Sequence, residues 1–150
     1  MGENVQTTKQ ITVINADGLI LGRMATYIAK RLLNGEEIVI INAEKAILSG
    51  RKRSKLKDAV EFLTVGSPRR GPFHYRRPDR IVRKSVRGML PFKQSKGKQA
   101  YKRLKVYMGV PSNLKDQKME TLPNAQAKKL TCPYFTVGEF SKEIGWNAGE

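Results

Sequence analysis

Arg80, Arg83, Lys84 and Arg87 recur at spacings of three, four and seven, which places four cations along one stripe of a helix. Like charges so arranged disfavour an isolated helix by on the order of a few tenths of a kcal/mol per pair, so something of opposite sign is expected to face them. From Arg80 as far as Lys115 the chain holds no carboxylate that could do so. The chemistry open to this stripe is anion binding. Arginine's planar fork grips two oxygens of a phosphate, and lysine adds a mobile point charge.

The stripe belongs to a larger concentration. Residues 51–105 hold nineteen Lys and Arg against Asp58, Glu61 and Asp79, so the whole net charge of +16 lies there. Residues 1–50 and 106–150 each balance five basic with five acidic side chains. Charge serving solubility alone would be spread along the chain, whereas this distribution points to one face that meets a polyanion. Its other candidate members are Arg51, Lys52, Arg53 and Lys55, then Arg69, Arg70, Arg76 and Arg77, then Lys93, Lys96, Lys98, Lys102, Arg103 and Lys105. Phe73, His74 and Tyr75 stand between two arginine pairs, so rings able to stack on bases are interleaved with backbone clamps. That mixture favours RNA over a membrane surface. The alternative for Phe73 and Tyr75 is that they anchor the loop to its own domain.

Other chemistries find little to work with. Cys132 is the only cysteine and His74 the only histidine, so no zinc cluster, internal disulfide or Cys/His nucleophile pair can be assembled. Cys132 reads as a small buried side chain. No catalytic residue, metal, cofactor or small-molecule substrate is expected. The GLILGR turn, with Gly18 and Gly22, stands where nucleotide-binding folds place a phosphate loop, but it lacks both the three-glycine spacing and the Gly-Lys-Ser/Thr ending. Its structural reading is that Gly18 turns the chain, Gly22 permits close helix contact, and Leu19, Ile20 and Leu21 pack. No apolar run reaches membrane-span length and the start is polar, so the expected protein is soluble, untargeted and intracellular.

These residues need a scaffold. At 150 residues the chain suits one domain, 1–150, burying roughly 70% of its unfolded surface. Ile11, Val13 and Ile14 read as a strand; Leu21, Met24, Ala25, Ile28 and Leu32 keep helical spacing; Ile38 to Ile41 form a continuous apolar run, as in a strand covered on both faces. Strand, helix, strand is a βαβ unit. Asn42 is expected to cap a short helix from Ala43 to Leu48, and Leu56, Ala59, Val60 and Leu63 predict another helix. Residues 65–78, broken by Pro68, Pro72 and Pro78, predict a long loop. Asp79 is expected to cap a helix with Ile81, Val82, Val86 and Met89 inward, and Ser95 to open a basic helix. Val106 to Met108 predict a strand, Tyr101 and Tyr107 core positions, and Thr136 with Glu139 a capping box before a helix holding Phe140 and Ile144.

Three blocks carry a resemblance: VINADGLILGRMATYIAKRLLNG at 13–35, KSVRGMLP at 84–91 and YKRLKVYMGVP at 101–111. In order and spacing the chain resembles the ribosomal protein L thirteen family of the large subunit over about residues 10–111. Its GPFHYRRPDRIVRKSVRGMLP stretch is similar to the archaeal and eukaryotic branch. Val110, Pro111 and Ser112 stand where the bacterial form places a His-Pro-His segment, so nothing said of those histidines carries over. The resemblance places Gly22 and Arg23 in the family's first block, and Arg87, Gly88 and Pro91 in its second.

The resemblance implies a three-layer α/β/α fold with a mostly parallel, roughly four-stranded sheet, to which basic helical and loop extensions (51–105) and a neutral C-terminal extension (111–150) are added. It further implies a non-catalytic role in the large ribosomal subunit, in the cytoplasm, with ribosomal RNA and neighbouring ribosomal proteins as partners. Two rivals stand beside it. One is a nucleotide-dependent RNA-modifying enzyme using the Gly18 to Gly22 turn; the other is a regulator that binds a messenger RNA or a membrane through the basic patch.

Overall fold

The computed structural model describes residues 11–148. Strand β1 (Ile11–Asn15) is followed by a turn in which Gly18 takes φ +70°, then by helix α1 (Leu21–Leu33) and strand β2 (Glu37–Ile41). The two strands run parallel with Val13 opposite Val39 and Ile14 opposite Ile40. β4 (Leu104–Val106) joins β2 and β5 (Met119–Glu120) joins β1, both parallel, giving the sheet order β4-β2-β1-β5. The expected α/β fold with a mostly parallel sheet of four strands is therefore present.

Alternation along the strands sends side chains to both faces. Ile14, Ile38 and Ile40 are wholly buried on one face, with Met24, Ala25, Ile28 and Leu32 of α1 and Val82 and Val86 of α3 (Pro78–Gly88) in the same core. Val13, Val39 and Ile41 occupy the other face, where Val110, Leu114 and Met119 cover them. This second layer is an irregular segment with one 3₁₀ turn, Ser112–Leu114, and is thinner than a helical layer. Arg31 fastens α1 to the sheet: its Nε donates to Glu36 at 2.7 Å and its Nη1 to Glu120 at 2.9 Å. Burial alone would lower the Arg31 pKa, but the hydrogen bonds to Glu120 and Glu36 outweigh it and hold the pKa above the ordinary arginine value.

Several local expectations give way to tertiary pairing. Residues 43–48 are not a helix. They form a 3₁₀ turn, Ala43–Lys45, and then strand β3 (Ile47–Ser49), which pairs antiparallel with β6 (Tyr134–Thr136). Asn42 is left-handed, with φ 54°, and its side chain donates to Asn15 Oδ1 at 3.0 Å instead of capping. The strand expected at 106–108 lies at 104–106, because Leu104 pairs with Ile38 and is buried. Tyr107 is accordingly exposed, while Tyr101 is half-buried against the core.

Pro78 takes the first turn of α3, where its missing N–H costs nothing, so Arg77 is the N-cap and Asp79 sits inside the first turn. Val82 and Val86 face the core as expected, but Met89 falls at the helix end and is 42% exposed. Cys132 is exposed, not buried. A Cβ at Gly22 would meet nothing within 4 Å, so close contact is not what that glycine provides.

Helix α2 (Lys52–Thr64) buries none of its residues fully and lies against α5 (Val137–Glu143), whose N-terminus is capped as expected by Thr136 Oγ1 accepting from the Glu139 N–H at 3.2 Å. The neutral segment contributes β5, β6, α5 and the buried side chains of Leu122, Ala125, Phe135, Val137 and Ile144. Helix α4 (Ser95–Lys102) opens at Ser95 as its basic pattern predicts.

Candidate nucleic-acid interface

The outer stripe of α3 is the centre of the arrangement. Its inner face is fixed by Val82 and Val86, so Arg80, Lys84 and Arg87 are turned outward and exposed, and Arg83 is half-buried. Three depressions surround this stripe. Tyr75, Asp79, Arg80, Arg83, Arg87, Phe92, Tyr101 and Val106 line one of about 370 Å³. Lys84, Arg87, Phe92 and Lys93 border a second, and His74, Tyr75 and Lys84 border a third beside α2. The three adjoin one another through shared residues, Arg87 and Phe92 between the first and second, Lys84 between the second and third, and Tyr75 between the first and third.

Within the first depression each arginine lies over an aromatic ring. Arg87 is 4.0 Å from the Phe92 centroid, Arg83 is 4.5 Å from that of Tyr101, and Arg80 is 5.6 Å from that of Tyr75. Phe92 and Tyr101 meet edge to face at 5.4 Å. Arg83 Nε is buried and has no hydrogen-bond partner among the described residues. Asp79 Oδ1 stands 3.2 Å from Arg77 Nε, too poorly aligned for a hydrogen bond but close enough for an ion pair. Phe92 was not among the residues legible as functional, and neither was Gly97. A Cβ on Gly97 would overlap the Pro91 carbonyl, so this glycine lets α4 pack against the turn that carries Phe92.

The other candidates are dispersed around this centre. Arg51, Arg53 and Lys55 are exposed on and before α2, and Arg69 and Arg70 on the turn closed by the Gly71 N–H donating to Ser67 O at 2.9 Å. Phe73 is 75% exposed, whereas His74 is half-buried, 5.6 Å from the Phe62 ring and 3.5 Å from Lys84 Nζ through its Nδ1. Within this loop, then, His74 touches the domain while Phe73 projects away. Arg76 lies beside Gly145, and Lys96, Lys98, Lys102 and Lys105 are exposed along α4 and β4.

Besides Arg77, which pairs with Asp79, two more of these candidates are engaged by groups of the same chain. Lys52 pairs with Glu143 and, at 3.9 Å, with Glu139. Its hydrogen bond to Glu143 raises its pKa above the ordinary lysine value; slight desolvation opposes this, and the charges of Glu143 and Glu139 add to it. Arg103 donates from Nη2 to the Leu32 carbonyl at 2.7 Å, satisfying an open group at the end of α1.

The Gly18 to Gly22 turn is covered by the chain itself. Ile20 N–H donates to Ala125 O at 2.7 Å, Ala127 N–H donates to Gly18 O at 3.0 Å, and Leu19, Ile20 and Leu21 are buried. Among the described residues no group of three or more His, Cys, Asp or Glu could hold a metal, and no helix is long and apolar enough to cross a membrane.

Comparison with known proteins places this geometry. The family model of ribosomal protein L13 matches residues 9–113, which include the sheet core, α3 and α4. The chain belongs to the ribosomal protein L13 family. It is 48% identical over 137 residues to the large ribosomal subunit protein uL13 of Methanosarcina barkeri, covering 90% of this chain and 98% of that one. The proteins of the same name from Archaeoglobus fulgidus and Methanocaldococcus jannaschii are each 47% identical, over 90% of this chain and 88% and 98% of theirs. Ribosomal protein L13 is a structural component and not an enzyme.

Proposed function

We propose that this protein is a structural constituent of the large ribosomal subunit that binds ribosomal RNA through the basic face of residues 51–105 and supports subunit assembly. The observation that carries this reading is the α3 stripe. Arg80, Lys84 and Arg87 are held outward by buried Val82 and Val86 with Arg83 half-buried among them, Asp79 is the sole carboxylate of the helix, and that carboxylate is paired with Arg77. Family membership supplies the ribosomal context. The α/β core acts as one mount, and Arg51, Arg53, Lys55, Arg69, Arg70, Lys93, Lys96, Lys98, Lys102 and Lys105 extend the contact to several RNA segments. Neighbouring ribosomal proteins are its further partners, and its place is on cytoplasmic ribosomes.

Sedimentation of a native lysate through a sucrose gradient, in low and then high salt, tests this reading. Comigration with the large subunit in both salts is expected. Recovery at the top of the gradient in both would favour a free regulator and remove the ribosomal assignment.

A further inference from the structure

A base that stacks on a protein needs an uncovered ring, and a phosphate needs an uncovered fork. In the depression beside α3, Phe92 and Tyr101 each carry a guanidinium over the ring, while the Arg80 and Arg87 side chains are exposed. Arg87 and Arg83 lie over Phe92 and Tyr101 at 4.0 and 4.5 Å, and Phe92 further meets Tyr101 edge to face. A guanidinium stacked on a ring keeps its N–H groups in its own plane, where they remain available to an oxyanion. Arg83 Nε is buried, faces no protein acceptor among the described residues, and belongs to a side chain lining the cavity.

We infer that Arg80, Arg83 and Arg87, propped by Tyr75, Tyr101 and Phe92, form a preorganised pocket for one backbone phosphate of RNA, and that these rings orient arginines instead of reading bases. The inference rests on the RNA-binding reading above and refines it. The cavity, about 370 Å³, lies near the small end of the range for ligand sites, roughly 300 to 1,000 Å³, and suits one sugar-phosphate unit better than a stretch of helix. Its lining carries three guanidiniums and one carboxylate, and Asp79 is already partnered by Arg77. The rings beneath Arg83 and Arg87 restrain these two side chains before the ligand arrives, so less side-chain freedom is lost on binding. The contact is indifferent to sequence: it fixes register on the RNA and leaves base readout to other residues.

The test uses the full chain with its arginine Nε–H groups observed by NMR. It is titrated at constant ionic strength with inorganic phosphate, ribose 5-phosphate or AMP, and binding of large-subunit ribosomal RNA is measured in parallel. Saturable shifts at Arg83 and Arg87 are expected, with similar affinity for the three probes. Phe92→Leu, which changes no charge, should weaken phosphate by about fivefold. Arg87→Lys should do likewise if Phe92→Leu does not fold.

AMP binding more than about tenfold tighter than ribose 5-phosphate would overturn the inference, since stacking of a base is worth roughly five- to 150-fold. Absence of saturable shifts in a chain that still binds ribosomal RNA would overturn the pocket and leave the proposed function standing. Phosphate binding without ribosomal RNA binding would overturn the RNA assignment in both.

Discussion

The Arg87 guanidinium lies 4.0 Å from the centre of the Phe92 ring, a contact made across the turn that ends α3. The last cation of the stripe is thereby positioned by a residue that no helical spacing connects to it. The same turn is held from the other side by α4, through the close approach of Gly97 to Pro91. The orientation of the basic surface thus depends on packing between apolar and uncharged groups.

Replacing Arg80, Arg83, Lys84 and Arg87 together with Gln should weaken ribosomal RNA binding and reduce the slope of log affinity against log salt. Each lost phosphate contact lowers the slope by roughly 0.7 to 0.9, so a change of about three units is expected for the four substitutions. The fold should survive, because Val82 and Val86 hold the inner face of α3. Filter binding over a salt series, with circular dichroism as control, measures both; a folded variant with an unchanged slope would falsify the assignment of this stripe.

Gly97→Ala should destabilise the protein by about 1 to 3 kcal/mol, the range for forcing a methyl into a packed contact. The added Cβ overlaps the Pro91 carbonyl and crowds the Phe92 N–H, so the turn must shift. A lower urea midpoint with unchanged m-value is the expected result. RNA affinity should fall as well, since the ring beneath Arg87 moves.

Lys52 should differ from Arg53 although the two are adjacent. Lys52 already pairs with Glu143 and Glu139, while Arg53 is exposed. Arg53→Gln should reduce the salt slope more than Lys52→Gln does. The folded-state pKa of Lys52 is raised, so its pairing contributes stability below the ordinary lysine pKa and loses it as pH rises through the folded value. The melting-temperature gap between the unaltered chain and Lys52→Gln should therefore narrow as pH rises through the alkaline lysine range.

Cys132 should react with a thiol reagent in the native protein without denaturant, because its side chain is exposed between Thr131 and Pro133. One equivalent of rapid reaction is expected in a colorimetric thiol assay. Reaction only after urea is added would place the thiol in the interior instead.

Much of the α/β unit was legible along the chain, and for a clear reason. β1, α1 and β2 are neighbours in sequence, and burial leaves its period in each of them: Ile14, Ile38 and Ile40 in the strands, Met24, Ile28 and Leu32 in the helix. The basic stripe was equally legible, since cations cannot be hidden in a core and must occupy the face that Val82 and Val86 leave open.

Long-range pairing left no such trace. Residues 47–49 are a strand because 134–136 lie alongside, and Leu104 begins β4 because Ile38 is opposite it. Met119 and Glu120 form an edge strand too short for any period to announce. The rings under Arg83 and Arg87 belong to this class also, because Tyr101 and Phe92 reach their arginines only when α4 packs back across Gly97. Composition and local period therefore determined that this protein is an α/β scaffold carrying a cationic stripe on one helix. Which of its cations are free, which are bound to Glu143 or the Leu32 carbonyl, and which are propped on a ring was decided by tertiary structure alone, because contacts between residues far apart in sequence carry no periodicity for a local pattern to record.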